Sequence, residues 1–272
     1  MPELPEVETI KEDLKKVIIG KKISAVDIER DKVIKYPEVN LFKKQLAGCV
    51  CRDVLRRGKL LVISFETQNK KILYLTVHLR MSGQLVYGEK TKQNRFSLAL
   101  SNGAFLSYND QRMLGDVRLV DDWQSLDLVK RMGPEPLSED FKFADFQEKL
   151  KNRKTKIKPL LLDQTFIAGI GNIYAAETLF LSGINPAHRA DTLKNEKAKL
   201  LFNNIKEVLR SAIKHRGTSF DQYRDAKGAK GNFVKKLFVY GRAGEMCYHC
   251  KKPVSRIVLG GRGTYFCRSC QK

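Results

Sequence analysis

The sequence predicts an α+β protein, on three observations. Short apolar runs broken by turns fill residues 21 to about 120. Helical spacings of three and four dominate from about 143 to 216. A short basic tail then carries two Cys-x-x-Cys pairs. The chain has 272 residues with 42% hydrophobic content, enough for one large or two modest domains with buried cores.

A helix opens the chain. Behind Pro5, the residues Val7, Ile10, Leu14 and Val17 keep one apolar face, and Gly20 stops it. The runs KISAVDI, KLLVISFE, KILYLTVHL, FSLALSNG and DVRLVDD read as strands, and the SNG between FSLAL and AFLSY marks a hairpin. Several short strands in succession imply a sandwich or a barrel. Gly133, Pro134 and Pro136 in RMGPEPLSED break regular structure and mark a boundary. FADFQEKLKN, IKPLLLD, NIYAAETLFLSG and TLKNEKAKLLFNNIKEVLRSAIKHRG then read as helices; in the last, Leu201, Ile205, Val208 and Ala212 share a face. SFDQYRDAKGAKGNF loses periodicity and reads as a mobile loop. No internal repeat or low-complexity tract occurs.

Charge narrows the partner. Lys and Arg number 51 against 30 Asp and Glu, a formal net charge of +21. Such a surplus favours a polyanion, most simply nucleic acid; a merely soluble basic protein and a binder of acidic membranes are the alternatives. No stretch approaches the roughly 20 apolar residues of a membrane span. The acidic N-terminus lacks the apolar core of a secretory signal, so a cytoplasmic location with reduced or metal-bound cysteines is expected.

The tail holds Cys247 and Cys250, then Cys267 and Cys270, with sixteen residues between the pairs. That spacing fits a tetrahedral zinc site. Four thiolates leave no open position for a catalytic water, so the expected metal is one structural Zn²⁺ that helps a very small unit fold. His249, between two ligands, reads as a surface residue. LGGRGTYF reads as a hairpin whose tip carries Arg262 between Gly261 and Gly263, a placement suited to phosphate. Residues 206–272 hold 16 Lys and Arg against 4 Asp and Glu, which strengthens that reading. In GIGNIYAAE, Gly169 and Gly171 precede a helix starting near Asn172. This is either an anion-binding helix start, with Arg153, Lys154, Lys156 and Lys158 close before it, or a tight interhelical turn.

Taken in order, MPELPEVET, RRGKLL, HLRMSG, MGPEPL, IKPLLLDQ…AGIGNIYAAE, VYGRAGEMC and the terminal CRSCQK resemble the bacterial formamidopyrimidine-DNA glycosylase family over essentially the whole chain. The PELPE start is closer to that family than to its relative endonuclease VIII. The resemblance implies an N-terminal β-sandwich flanked by helices, then a helix–two-turns–helix region with a zinc-binding β-hairpin. The expected divisions are 1–132, catalytic; 133–236, DNA-binding, with a flexible lesion loop near 218–233; and 237–272, the zinc finger.

The resemblance also implies roles. With Met1 removed, Pro2 becomes a terminal secondary amine that attacks the sugar C1′. A chain-end amine has a reference pKa of about 7.7–8.0, so a useful fraction is neutral. Glu3 is then the proton donor to the opening sugar, Glu6 a supporting carboxylate, Lys59 the lysine of DNA contact and β-elimination, and Arg262 the phosphate-holding arginine of δ-elimination. Met81, Arg112 and Leu114 fill the gap left by an extruded base. Arg153, Lys158 and Asn172 contact phosphates.

Two departures stand out. DQRMLG replaces the family's D-x-R-R-F-G, so Met113 and Leu114 stand where Arg and Phe are usual. In KQNRF, Gln93 takes the place of a usual histidine. Cys49 and Cys51 read as packing residues and His78 as a strand residue with a structural hydrogen bond; His188 and His215 carry no motif.

The implied activity is base-excision repair of damaged double-stranded DNA by a monomeric, cytoplasmic, nucleoid-associated glycosylase and AP lyase for oxidised purines. The alternatives are an endonuclease VIII-like preference for oxidised pyrimidines and a non-catalytic zinc-ribbon protein that binds damaged DNA.

Overall fold

A computed structural model describes residues 1–91, 93–220 and 223–272. The chain forms two compact units: Met1–Lys130 with His215–Val234, and Arg131–Lys214 with Lys235–Lys272. Among the described residues no helix is long and apolar enough to cross a membrane.

The first unit is a β-sandwich with helices beside it. Its elements are α1 (Leu4–Ile18), β1 (Ile23–Ile28), β2 (Ile34–Tyr36), α2 (Val39–Leu46), β3 (Val50–Arg57), β4 (Leu60–Glu66), β5 (Ile72–His78), β6 (Gly83–Gly88), β7 (Asn94–Leu100), β8 (Phe105–Asp110), β9 (Asp116–Val120) and the one-turn α3 (Asp127–Lys130). One sheet runs β1-β7-β8-β6 and the other β2-β9-β5-β4-β3; the β2–β9 pair is parallel and the rest are antiparallel. Leu61, Ile63, Leu75 and Val77 of one sheet share a core with Phe96, Leu98, Leu106 and Tyr108 of the other. The apolar stripe of α1 (Val7, Ile10, Leu14 and Ile18) and the α2 residues Phe42 and Leu46 complete it. Cys49 and Cys51 are buried in the same core, and burial pushes the Cys51 thiol up to about 12, leaving it inert.

Of the two closures the apolar runs allowed, the sandwich is the one formed. The strand β3 and the helix α2 are absent from the sequence reading. As an edge strand, β3 carries Arg52, Asp53, Arg56 and Arg57, so its apolar alternation is thin, and edge strands gain from such charge.

The second unit contains α4 (Phe143–Lys151), α5 (Ile157–Leu162), α6 (Asn172–Leu181), α7 (Asn195–Lys214) and the hairpin β10 (Ser255–Leu259)–β11 (Arg262–Phe266). Helix α6 is buried from Ile173 to Phe180, as an apolar-all-round sequence requires. Phe141 stacks on Phe202 at 4.7 Å between ring centres, and Lys206 lies 4.4 Å over the Phe202 ring. Gly133 sits where a side chain could not: a Cβ would fall 2.6 Å from the Thr165 carbonyl oxygen.

Candidate functional site

At the chain start, Pro2 and Glu3 are buried just ahead of α1, while Met1 is 49% exposed. Pro5 lies in the first turn, where its missing N–H leaves no partner unsatisfied. Glu6, in the same turn, is 1% exposed, and its Oε2 accepts the Glu3 N–H at 2.7 Å. Its Oε1 accepts the Thr218 N–H, also at 2.7 Å. With Met1 attached, the Pro2 nitrogen is an amide and no nucleophile; cleavage of that one bond frees a secondary amine.

Lys59 occupies the two-residue turn of the β3–β4 hairpin, beside Gly58 at φ +55°, and is only 6% exposed. Glu8 connects this turn to α1. Its carboxylate accepts from Arg56 Nε at 2.6 Å, and Arg56 Nη1 donates to the Gly58 carbonyl at 2.9 Å. Burial raises the Glu8 carboxyl, but the Arg56 and Lys11 hydrogen bonds and charges more than offset it and hold it below the usual range. Leu60 pairs with His78 across the sheet. Burial, then the Arg80 and Lys59 charges, push the His78 imidazole down to about 4, and its Nδ1 accepts the Arg80 N–H at 3.2 Å. His78 is therefore neutral at physiological pH, with the hydrogen bond its sequence position suggested.

Met81 and Leu114 are exposed at 41% and 49%, and Arg112 is exposed too. Arg112 Nη1 lies 3.3 Å from Met81 Sδ, so these two side chains adjoin. Their positions depend on Asp110, which is fully buried and which sequence reading missed. Asp110 Oδ1 accepts from Ser82 Oγ at 2.5 Å and from the Arg112 N–H at 3.2 Å; Oδ2 accepts the Gly115 N–H at 2.7 Å. Asp at the head of a turn is the signal that was there to read, since its carboxylate bonds backbone two residues on. Gly115 is required because a Cβ would lie inside the Tyr108 hydroxyl. Gln93 is described but Lys92 is not, so the KQNRF stretch lies partly outside the described residues.

In the second unit, Asn172 is the first residue of α6. Its Nδ2 donates to the Gly263 carbonyl at 3.0 Å, and its Oδ1 accepts from Lys158 Nζ at 2.6 Å. Lys158 is fully buried, and its ammonium also donates to Thr264 Oγ1 at 2.7 Å and the Gly263 carbonyl at 3.2 Å. Lys158, expected on phosphate, thus ties α5 and α6 to the hairpin, because three neutral oxygens converge on its three hydrogens. Gln164, also missed, fixes the glycine turn: its Oε1 accepts the Gly169 N–H and its Nε2 donates to the Leu162 and Ile170 carbonyls, each at 2.9 Å. Arg153 is exposed.

The hairpin tip is Gly260–Gly261, with φ +57° and +71°, the two left-handed residues of a tight β-turn. Arg262 stands one residue past that tip, exposed and opposite Leu259, rather than at the tip itself. The sulfur atoms of Cys247, Cys250, Cys267 and Cys270 lie within 4.8 Å of one another, with Cys250–Cys267 at 3.4 Å and Cys247–Cys270 at 3.9 Å. Tetrahedral Zn–S bonds of about 2.3 Å put sulfurs roughly 3.8 Å apart, so the set is suited to one structural zinc. Glu177, 1% exposed and also missed, accepts the N–H groups of Phe238, Val239 and Tyr240 at 2.7–3.0 Å and fixes the chain entering this segment. His249 is exposed, its ring 4.9 Å from Phe180.

This architecture, a sandwich beginning at a buried Pro–Glu pair and a helical unit ending in a four-cysteine hairpin, matches one family in three consecutive models. The formamidopyrimidine-DNA glycosylase N-terminal domain matches residues 1–117, the formamidopyrimidine-DNA glycosylase H2TH domain 132–223, and the zinc finger found in FPG and IleRS 244–272. The chain belongs to the formamidopyrimidine-DNA glycosylase family. A formamidopyrimidine-DNA glycosylase of Desulforamulus reducens is 42% identical, covering 100% of this chain and 99% of its own. That of Herpetosiphon aurantiacus is 42% identical, covering 100% of each. Among solved structures, MutM (FPG) from Thermus thermophilus superposes with TM-score 0.89 at 36% identity, covering 99% of this chain and 98% of that one. A Lactococcus lactis FPG mutant in complex with Fapy-dG-containing DNA gives 0.90 at 37%, covering 100% of each.

Proposed function

We propose that this protein is a DNA glycosylase and AP lyase that removes oxidised purines, such as 8-oxoguanine and formamidopyrimidines, from double-stranded DNA. The observation that carries the reading is the fixed Pro2–Glu3 start, buried and held by Glu6, in a chain that matches formamidopyrimidine-DNA glycosylases from end to end.

The chemistry follows from a secondary amine. The Pro2 nitrogen lone pair bonds to C1′ and the damaged base leaves. Glu3 donates a proton to the ring oxygen as the sugar opens, giving an iminium ion. That positive centre acidifies the C2′ hydrogen. Its removal expels the 3′-phosphate, and a second elimination expels the 5′-phosphate. Lys59, buried beside the β3–β4 turn, is the residue read as serving the first elimination; the exposed guanidinium of Arg262 serves the phosphate of the second.

Met81 and Leu114 support an apolar wedge, and Arg112 supplies donors for an orphaned base. Arg153 and Asn172 are read as phosphate contacts. Lys158 acts behind them, by fixing Asn172 and the Gly263–Thr264 backbone. Zinc is structural and takes no part in bond making.

Borohydride trapping on abasic duplex tests the nucleophile: the processed wild type forms a covalent adduct, and the same chain with its terminal amine acetylated does not. Absence of an adduct with processed wild type favours a non-catalytic damaged-DNA binder. A panel of lesion duplexes then tests substrate class, with oxidised purines expected to be excised faster than oxidised pyrimidines; the reverse order identifies an endonuclease VIII-like enzyme.

A further inference from the structure

We propose that Arg216 is a positioning residue for the N-terminal nucleophile, acting through Thr218 and Glu6. This rests on the reading of Pro2 as the nucleophile. Arg216 joins two buried carboxylates. Its Nη2 donates to Asp13 Oδ2 and to Asp225 Oδ2, each at 2.5 Å, and its Nε donates to Asp225 Oδ2 at 3.0 Å. Asp13 is 3% exposed and Asp225 1%. Asp225 in turn caps its own turn, its Oδ1 accepting the Lys227 and Ala229 N–H groups.

Glu6 and Asp13 are seven residues apart on α1, two turns and about 10 Å along one face. Both grip the same crossing segment, Asp13 at Arg216 and Glu6 at Thr218. Arg216 and Gly217 are both left-handed, at φ +62° and +78°. A non-glycine residue there is strained and persists only where its surroundings over-determine it. Here the ion triad does so. Gly217 is required for a separate reason: a Cβ would lie 2.6 Å from Glu6 Oε1. The segment then closes on itself, with Thr218 bridged to Asn232 and the Phe233 N–H on the Gly217 carbonyl at 3.0 Å.

The result is a relay. Arg216 fixes the Gly217–Thr218 backbone. Thr218 N–H fixes one oxygen of Glu6, and the other oxygen holds the N–H of Glu3, next to Pro2. Releasing Arg216 frees Thr218, lets the Glu6 carboxylate turn, and removes the fixed acceptor for Glu3.

The test is single-turnover adduct formation on preformed abasic duplex at saturating enzyme, on processed full-length chains, with DNA affinity and melting temperature measured in parallel. Arg216→Met and Gly217→Ala are each expected to slow trapping about tenfold or more, since small misplacements of reacting groups are this costly. DNA affinity stays within about twofold, and Arg216→Lys recovers part of the rate. The double variant is expected to be no slower than the slower single, because both break one relay. If Arg216→Met does not fold, Asp225→Asn, which keeps the volume, carries the same prediction. Wild-type trapping rates in Arg216→Met, or losses that multiply in the double variant, overturn the proposal while leaving Pro2 as nucleophile. A processed wild type that forms no adduct overturns the nucleophile reading itself.

Discussion

The start of α1 and the strand that leaves the tip of the zinc hairpin each carry a group read as catalytic, and they are held by different physics. Pro2 and Glu3 precede a helix whose apolar stripe lies in a large core shared by two sheets. Glu6 and Glu8 then fix the local backbone and the neighbouring lysine turn. The hairpin has a small core: Ala176, Phe180, Val239 and Val254 with Cys247 and Cys267. Two of those six buried residues are zinc ligands in waiting, so the metal substitutes for apolar area the segment lacks. The end proposed to carry the nucleophile is therefore stabilised by burial and the hairpin by coordination, and the two can be broken separately.

Chelation separates them most sharply. Removing zinc forfeits binding energy of about 10–16 kcal/mol seen in comparable thiolate sites. Residues 244–272 are expected to lose amide-exchange protection and DNA affinity to collapse, while β4 and β5 keep their protection. Loss of protection in both regions would erase the distinction. Next in size is Lys59→Met, which fills the buried site but removes the amine. Strand cleavage is expected to fall on the order of 10²–10⁴-fold with the melting temperature nearly unchanged. Asp110→Ala comes third. It leaves the Ser82 hydroxyl and the Arg112 and Gly115 N–H groups without their shared acceptor, costing about 1–3 kcal/mol and loosening Met81 and Arg112. Excision of a paired lesion is expected to suffer more than cleavage at a preformed abasic site.

The smallest effect is on pH. The Glu8 carboxyl lies below its usual 4.5 in the folded chain. Its contribution is thus present above about pH 4.5 and lost as pH falls through the lower folded value. Glu8→Gln is expected to flatten that acid limb in a melting-temperature titration; an unchanged limb assigns it to other carboxylates.

Much of this was legible in the sequence, for physical reasons that differ by region. The zinc set was readable because ligand spacing is local, and the helices because their apolar faces repeat. The strand β3 was hidden by the charges an edge strand tolerates. Asp110 and Glu177, which are buried, and Gln164, which is half-buried, were hidden because each is a polar side chain serving backbone N–H or carbonyl groups. Only the folded chain shows which groups need a partner: Gln164 works within a few residues, but Asp110 also reaches back 28 residues to Ser82 and Glu177 reaches more than sixty residues away. Lys158 was read as a phosphate contact from the resemblance; its burial, and the three oxygens around its ammonium, became visible only in the folded chain. Met81, Arg112 and Leu114 carry no periodic signal of their own, and their proposed role as a wedge rests on the resemblance alone.

The proposed chemistry takes place at the Pro2 nitrogen, freed from Met1. Its most direct test is the mass spectrum of the proteolysed borohydride adduct, taken for chain with Met1 removed and for chain with Met1 retained. A deoxyribose remnant is expected on the peptide beginning at Pro2, with no adduct from the retained form. Equal trapping by the Met1-bearing chain, or a remnant on Lys59 in the processed one, would contradict it.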